Sequence, residues 1–191
     1  MKTAIDKYNT EFKASVSIDD VFKELEGSPE HRALLEGSLW VIHRNLVLLR
    51  EEKERGIYLA RAKNNIYTRL RLFDGMVSLC RFVELRMKHH EKASGTLGNL
   101  LKTIFEKENW IGNVVRLGRK PKTSKDFDDQ IREAFERYKG PERSVLILLT
   151  VRNYATHICD PEAPFFFENF ENLFHEVVIA YIYYLKLKKL I

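Results

Sequence analysis

The sequence predicts an all-α protein, a bundle of about six or seven helices, and three observations carry that expectation. Apolar residues recur at intervals of three and four along most of the chain, the period of a helix with one buried face. No segment sustains the period-two alternation of a half-buried strand, and turn signals spaced for hairpins are absent. Helix start and stop signals divide the chain into segments joined by short connections, with no internal repeat. The 191 residues, 45% hydrophobic and 31% charged, suffice to bury a substantial core.

The elements follow in order. The first fifteen residues are polar and weakly patterned, which predicts a short irregular or helical arm. Ser17 and Asp20 have capping-box spacing, and Val21, Phe22 and Leu25 follow at helical intervals until Gly27 stops the segment. Ser28-Pro29-Glu30 is a second start, a cap followed by proline at the first helical position and an acid where the helix dipole favours it. Leu34, Leu35, Leu39, Ile42, Leu46 and Leu49 continue that helix to the charged run Arg50–Arg55, with Gly56 expected to end or bend it. Next, Ile66, Leu70, Phe73, Val77, Cys80, Val83 or Glu84, and Met87 form one long stripe. Arg61, Lys63, Arg69, Arg71, Arg81, Arg86 and Lys88 are expected on the basic face of that helix, which suits a solvated surface or one that tracks a phosphate backbone.

Thr96 to Trp110 reads as another amphipathic helix, with Leu97, Leu100, Leu101, Ile104 and Phe105 inward. Between Gly112 and Lys125 the pattern fails, and Gly112, Gly118 and Pro121 predict a loop. Arg116, Arg119, Lys120, Lys122 and Lys125 on it have no acid among them, which suits either phosphate binding or an exposed solubilising loop. Ser124 starts a helix running to Tyr138, and Pro141 opens the next, whose buried part is Val145 to Val151. The last helix, roughly Pro164 to Leu187, carries a broad aromatic stripe from Phe166 to Tyr184. A stripe of that width suits a central place in the bundle or a dimer face. The organisation expected is an N-terminal helical extension, residues 1–55, on a bundle, residues 56–191, together one compact unit without a linker.

The formal net charge of +5 mildly favours an acidic partner such as nucleic acid. Two cysteines, Cys80 and Cys159, make no disulfide framework, and the first residues lack the apolar core of a secretion signal. The apolar run Val177–Leu185 is far short of the roughly 20 residues needed to span a bilayer. A soluble, cytoplasmic protein with no membrane partner is expected. His89-His90-Glu91 offers no metal site by spacing, because adjacent histidines diverge on a helix and no further ligand stands at i+3 or i+4.

One stretch carries chemistry. Arg152-Asn153-Tyr154-Ala155-Thr156-His157 ends the apolar run Val145–Val151, just before Asp160-Pro161, and a buried charge there requires a partner. Histidine exchanges a proton near neutral pH, and arginine supplies a permanent planar charge suited to phosphate. In RNA cleavage by attack of a 2′-hydroxyl, His157 would move a proton of the nucleophile or leaving group. Arg152 would stabilise charge on the phosphate oxygens, and Asn153 would support the local backbone or orient the histidine. On a regular helix five steps of about 100° leave Arg152 and His157 about 140° apart, so a complete site needs a bend or a second copy of the chain. The structural alternative is that Arg152 pairs with a carboxylate such as Asp160 or Glu162 and His157 caps the helix.

This stretch, on the penultimate helix of an all-helical chain, resembles the Arg-X4-6-His motif of the HEPN superfamily, the higher eukaryotes and prokaryotes nucleotide-binding domain. The resemblance implies a HEPN-like bundle dimerising through its motif helices and acting as a metal-independent endoribonuclease without a cofactor. Arg152 and His157 would be catalytic and Asn153 supporting. It further implies RNA as substrate and a defence or toxin–antitoxin setting with an antitoxin or regulatory partner chain. The alternative within the family is a non-catalytic nucleotide-binding, RNA-binding or protein-interaction module.

Overall fold

The computed structural model describes residues 1–54, 62–118, 123–157 and 164–191. Among the described residues there is no strand, and the helices are α1 (Lys2–Phe12), α2 (Ile18–Lys23), α3 (Pro29–Glu54), α4 (Ala62–Glu91), α5 (Leu97–Ile104), α6 (Ile111–Leu117), α7 (Ser124–Arg137), α8 (Gly140–His157), α9 (Pro164–Glu168) and α10 (Phe170–Leu187). The all-α bundle expected from the periodicity is the fold of the chain.

Local chemistry explains the starts. The Ser17 hydroxyl accepts from Asp20 N at 3.1 Å while Ser17 N donates to the Asp20 carboxylate at 2.8 Å, a complete capping box for α2. The same device opens α7, where the cap is Thr123 with Asp126 as its reciprocal partner, so Ser124 is the first helical residue and not the cap. Thr96 caps α5 by accepting from Asn99 N. Gly27 follows α2 with φ of 82°, a turn conformation that glycine adopts without cost.

α10 organises the packing. Leu173, Val177, Ile179, Ala180, Ile182, Tyr184 and Leu185 are all buried, and these positions fall on every side of the helix. A helix apolar all round belongs in the middle of a bundle. α1, α4, α8 and α9 lie against it, so the aromatic width of the last helix is taken up within the chain. The single last helix expected over Pro164–Leu187 is two, α9 and α10, divided at Asn169.

α4 forms the second spine, with α3 along one flank and α8 and α10 along others. The close approach of α3 depends on Gly75, where a Cβ would stand 2.7 Å from Ile42 Cγ1. Of the irregular or helical arm expected at the start, the structure has the helix, and Ala4, Ile5 and Tyr8 of α1 share a core cluster with α10.

Three expectations fail here. The Thr96–Trp110 helix stops at Ile104, and Trp110 precedes a separate helix, α6. The loop expected over 112–125 is therefore helical through Leu117: Ile111 and Val114 are buried at i,i+3, a period that two glycines and a basic residue obscure. The solvated basic face of α4 holds for Arg71 and Arg81, both exposed, but not for Arg86, which is 2% exposed. Its guanidinium is accepted inside because a carboxylate, Glu24, pairs with it. Arg61 lies outside the described residues, as does Gly56.

Phe127 of α7 stacks on Tyr154 of α8 at 4.0 Å between ring centroids and is fully buried. Phe127→Ala is expected to cost about 3–5 kcal/mol in denaturant unfolding. Trp40, 60% exposed on α3, is the control, and Trp40→Ala should shift stability by about 0.5 kcal/mol or less.

Candidate active site at the end of helix α8

The stretch Arg152–His157 is the last turn and a half of α8, and its first three residues are held in three directions. Arg152 reaches α4, where its Nε donates to Glu84 Oε2 at 2.8 Å. Asn153 Nδ2 donates to the carbonyl oxygen of Gly118, after α6, at 2.6 Å. Tyr154 is fully buried, stacked on Phe127 and edge-on to Phe73 at 5.8 Å. Steps of about 100° per residue make such a divergence unavoidable on a helix. It fixes the register of α8 from three sides.

Glu84 binds two cations, one on each oxygen. Lys88 Nζ donates to Oε1 at 2.6 Å, one helical turn along α4, and Arg152 takes Oε2. The carboxylate is 7% exposed, while the side chains of Lys88 and Arg152 are 25% and 27% exposed. Burial alone would raise the Glu84 carboxyl, but the hydrogen bonds and charges of Lys88 and Arg152 outweigh it and hold the group below its ordinary value. Among the described residues these three groups sum to one positive charge, two cations less one carboxylate. A half-open site of that sign favours an anion.

Among the described residues the carboxylate that meets Arg152 is Glu84, which the sequence had offered only as an alternative to Val83 in an apolar stripe. Asp160 and Glu162 lie outside the described residues. The missed signal was the acid itself: a glutamate in register with buried positions, with lysine four residues on, marks an internal ion pair. Close by, the Cys80 thiol is wholly buried and pushed up to about 12, chiefly by burial, so it is an inert packing group.

Gly118 shapes the other side. A Cβ there would stand 2.6 Å from Leu149 Cδ2 and 3.2 Å from the Val114 carbonyl oxygen, so only glycine lets this backbone approach α8 closely enough to receive Asn153.

His157 is the final residue of α8, and its side chain lies outside the described residues. The helix neither ends nor breaks between Arg152 and His157. By helical register the two positions therefore stand about 140° apart. Of the five expected phosphate-binding residues, Arg116 is exposed on α6 and bonded to Asn113 Oδ1 at 2.8 Å, and Lys125 is exposed in the first turn of α7. They occupy two helices and not one loop, while Arg119, Lys120 and Lys122 lie outside the described residues. Among the described residues no group of histidine, cysteine and acidic side chains could hold a metal ion, and no helix is long and apolar enough to cross a membrane.

Fold and site together define an all-α bundle with a half-exposed, net-positive ion cluster at the end of its penultimate long helix. Comparison of the chain with protein-family models, curated proteins and solved structures returns no match.

Glu84→Ala removes the shared acceptor of two partly buried cations and is expected to cost about 1–3 kcal/mol in denaturant unfolding. The sign with pH follows from the lowered carboxyl. Its stabilisation is complete above the ordinary glutamate range and is lost as pH falls through the lowered value. Between neutral and acid pH the wild type should lose its advantage over Glu84→Ala, measured from denaturation curves across that range.

Proposed function

We propose that the protein is a metal-independent endoribonuclease of HEPN type, cleaving single-stranded RNA at a site composed from two copies of the chain. The observation that carries this reading is the Arg152–Glu84–Lys88 cluster beside the motif stretch. It fixes an arginine at the end of α8 in a half-open, net-positive setting.

In the reaction the 2′-oxygen forms a bond to the adjacent phosphorus as the bond to the 5′-oxygen breaks. The products are a 2′,3′-cyclic phosphate and a 5′-hydroxyl. His157 moves the proton, from the attacking hydroxyl or to the departing oxygen, and Arg152 stabilises the charge on the non-bridging oxygens. Glu84 and Asn153 act through position: the first orients the guanidinium, and the second ties α8 to Gly118. Unbroken helical register between Arg152 and His157 motivates the second copy, which would set the arginine of one chain near the histidine of the other. Basic residues Arg116, Arg119, Lys120, Lys122 and Lys125 are the proposed contacts to the RNA backbone. A defence or toxin–antitoxin role, with an antitoxin or regulatory chain as partner, and a cytoplasmic setting belong to the same proposal.

The second reading is a non-catalytic RNA-binding or protein-interaction module. It is favoured by the fact that Arg152 already has a buried carboxylate as partner, an arrangement that also serves a purely structural arginine.

Purified protein is expected to cleave single-stranded RNA in EDTA, and Arg152→Ala or His157→Ala to lower the rate by about a hundredfold or more, with the helical circular dichroism unchanged. Mixing the two inactive variants should restore part of the activity. Wild type that leaves RNA intact across the neutral range, with both variants binding RNA equally well, would sink the enzymatic reading and leave the binding module. Charge reversal at Arg119 and Lys120 together should weaken RNA binding in either case, measured by fluorescence anisotropy.

A further inference from the structure

Where α2 meets α3, five polar side chains close around one buried guanidinium. Arg86 of α4 pairs with the Glu24 carboxylate, donates to the Glu24 carbonyl oxygen at 3.2 Å and to the Ser28 hydroxyl at 3.0 Å, and stands 3.0 Å from His31 Nδ1. Tyr181 of α10 donates to the other Glu24 oxygen at 2.6 Å. His90 Nε2 lies 2.5 Å from Glu24 Oε1 and 3.0 Å from Arg86 Nη2.

The proton positions follow from chemistry. A guanidinium only donates, so His31 Nδ1 must accept and the ring is neutral there. His90 Nε2 stands between the carboxylate, which only accepts, and the guanidinium, which only donates, and its shorter approach is to the carboxylate, so its proton is set toward Glu24. The two histidines therefore answer acid differently. A proton added to His90 at Nδ1 costs no bond at Nε2, and the Glu24 carboxylate at 2.5 Å is nearer to the new charge than the guanidinium at 3.0 Å. A proton added to His31 at Nδ1 destroys the acceptor and sets a second cation 3.0 Å from the guanidinium.

We propose that the α2–α3 corner is a pH-sensitive latch, in which protonation of His31 releases residues 24–31 from Arg86 and loosens the N-terminal helices from the end of the bundle. The charged and titratable groups facing His31 are Arg86 and His89 on α4, Glu24 at the end of α2 and Glu30 on its own helix. Burial, then Arg86 and His89, lower the histidine below its ordinary value, against the smaller opposing pull of the two glutamates. The folded state thus binds this proton less readily than the unfolded chain. The latch is fully closed above the ordinary histidine value and opens as pH falls through the lowered one. This inference is independent of any action on RNA.

The test is an NMR titration of the full chain between about pH 7.5 and about pH 5.5. It follows the ring nitrogens of His31 together with amide exchange in residues 18–35, corrected for intrinsic rates. Protection at the corner should fall several-fold, with the midpoint of the His31 titration. His31→Asn keeps an acceptor without a titrating ring and should flatten the response, while His90→Asn should leave it in place. Protection that stays constant while His31 titrates overturns the latch, as does an unaltered response in His31→Asn. A His31 midpoint at or above the ordinary value overturns it as well. Should His31→Asn fail to fold, the shared midpoint in the wild type decides.

Discussion

The constraint on which the structure depends is the burial of α10 along most of its length, from Leu173 to Leu185. A helix in the middle of a bundle gains apolar contacts on every side, but each polar atom it carries must find a partner among its neighbours or forfeit its hydration without return. α10 brings Glu176, Tyr181 and Tyr184 into that position. Glu176 accepts from the Ser144 hydroxyl at 2.5 Å and meets Lys7 and Arg143 at 2.8 and 3.0 Å. Tyr181 donates to Glu24, and Tyr184 to Glu91. These bonds reach α1, the end of α2, α4 and α8, so satisfying one helix fixes the placement of four others. The N-terminal helices are held to the bundle by this requirement as much as by apolar contact.

The candidate site inherits its order from the same packing. α8 is clamped against α10 by Ser144 and Arg143 near its start and against α7 by the Tyr154–Phe127 stack near its end. Between those restraints its rotation is settled, and Arg152 falls opposite Glu84 as a consequence. The ion pair then adds direction to an arginine whose position is already fixed. This matters energetically, since a partly buried pair gains little net stability over an apolar replacement but costs substantially when one member is removed.

Much of the fold was legible because helical period and capping chemistry are local. Ser17 with Asp20 named the start of α2, and the stripe from Phe73 to Met87 named α4, from residues within one or two turns of each other. The errors lie where a distant partner decides. Arg86 reads as solvent-facing because nothing within four residues predicts Glu24, which is remote in sequence but sits at the end of α2. α6 was hidden because a short helix with glycines at 112 and 118 looks like a turn unless Val114 is known to be buried. The site was half legible. Arg152 and Asn153 stood out as polar groups ending an apolar run, while their partners Glu84 and the Gly118 carbonyl are tertiary facts, and a backbone acceptor leaves no mark in side-chain chemistry.

α4 shows how one helix separates two charged environments. Glu84 and Arg86 are two residues apart, hence about 200° around the axis, and face opposite neighbours. Glu84 turns to α8, where two partly exposed cations share it and keep contact with solvent. Arg86 turns to α2 and α3, where it is enclosed and its charge is met by Glu24 and neutral acceptors. Full enclosure demands close matching of charge, and a single added proton upsets it. Partial exposure tolerates a surplus, because water screens what the carboxylate leaves unmet. The same difference in burial that leaves the two cations at the α8 end in contact with solvent closes the α2–α3 corner around Arg86.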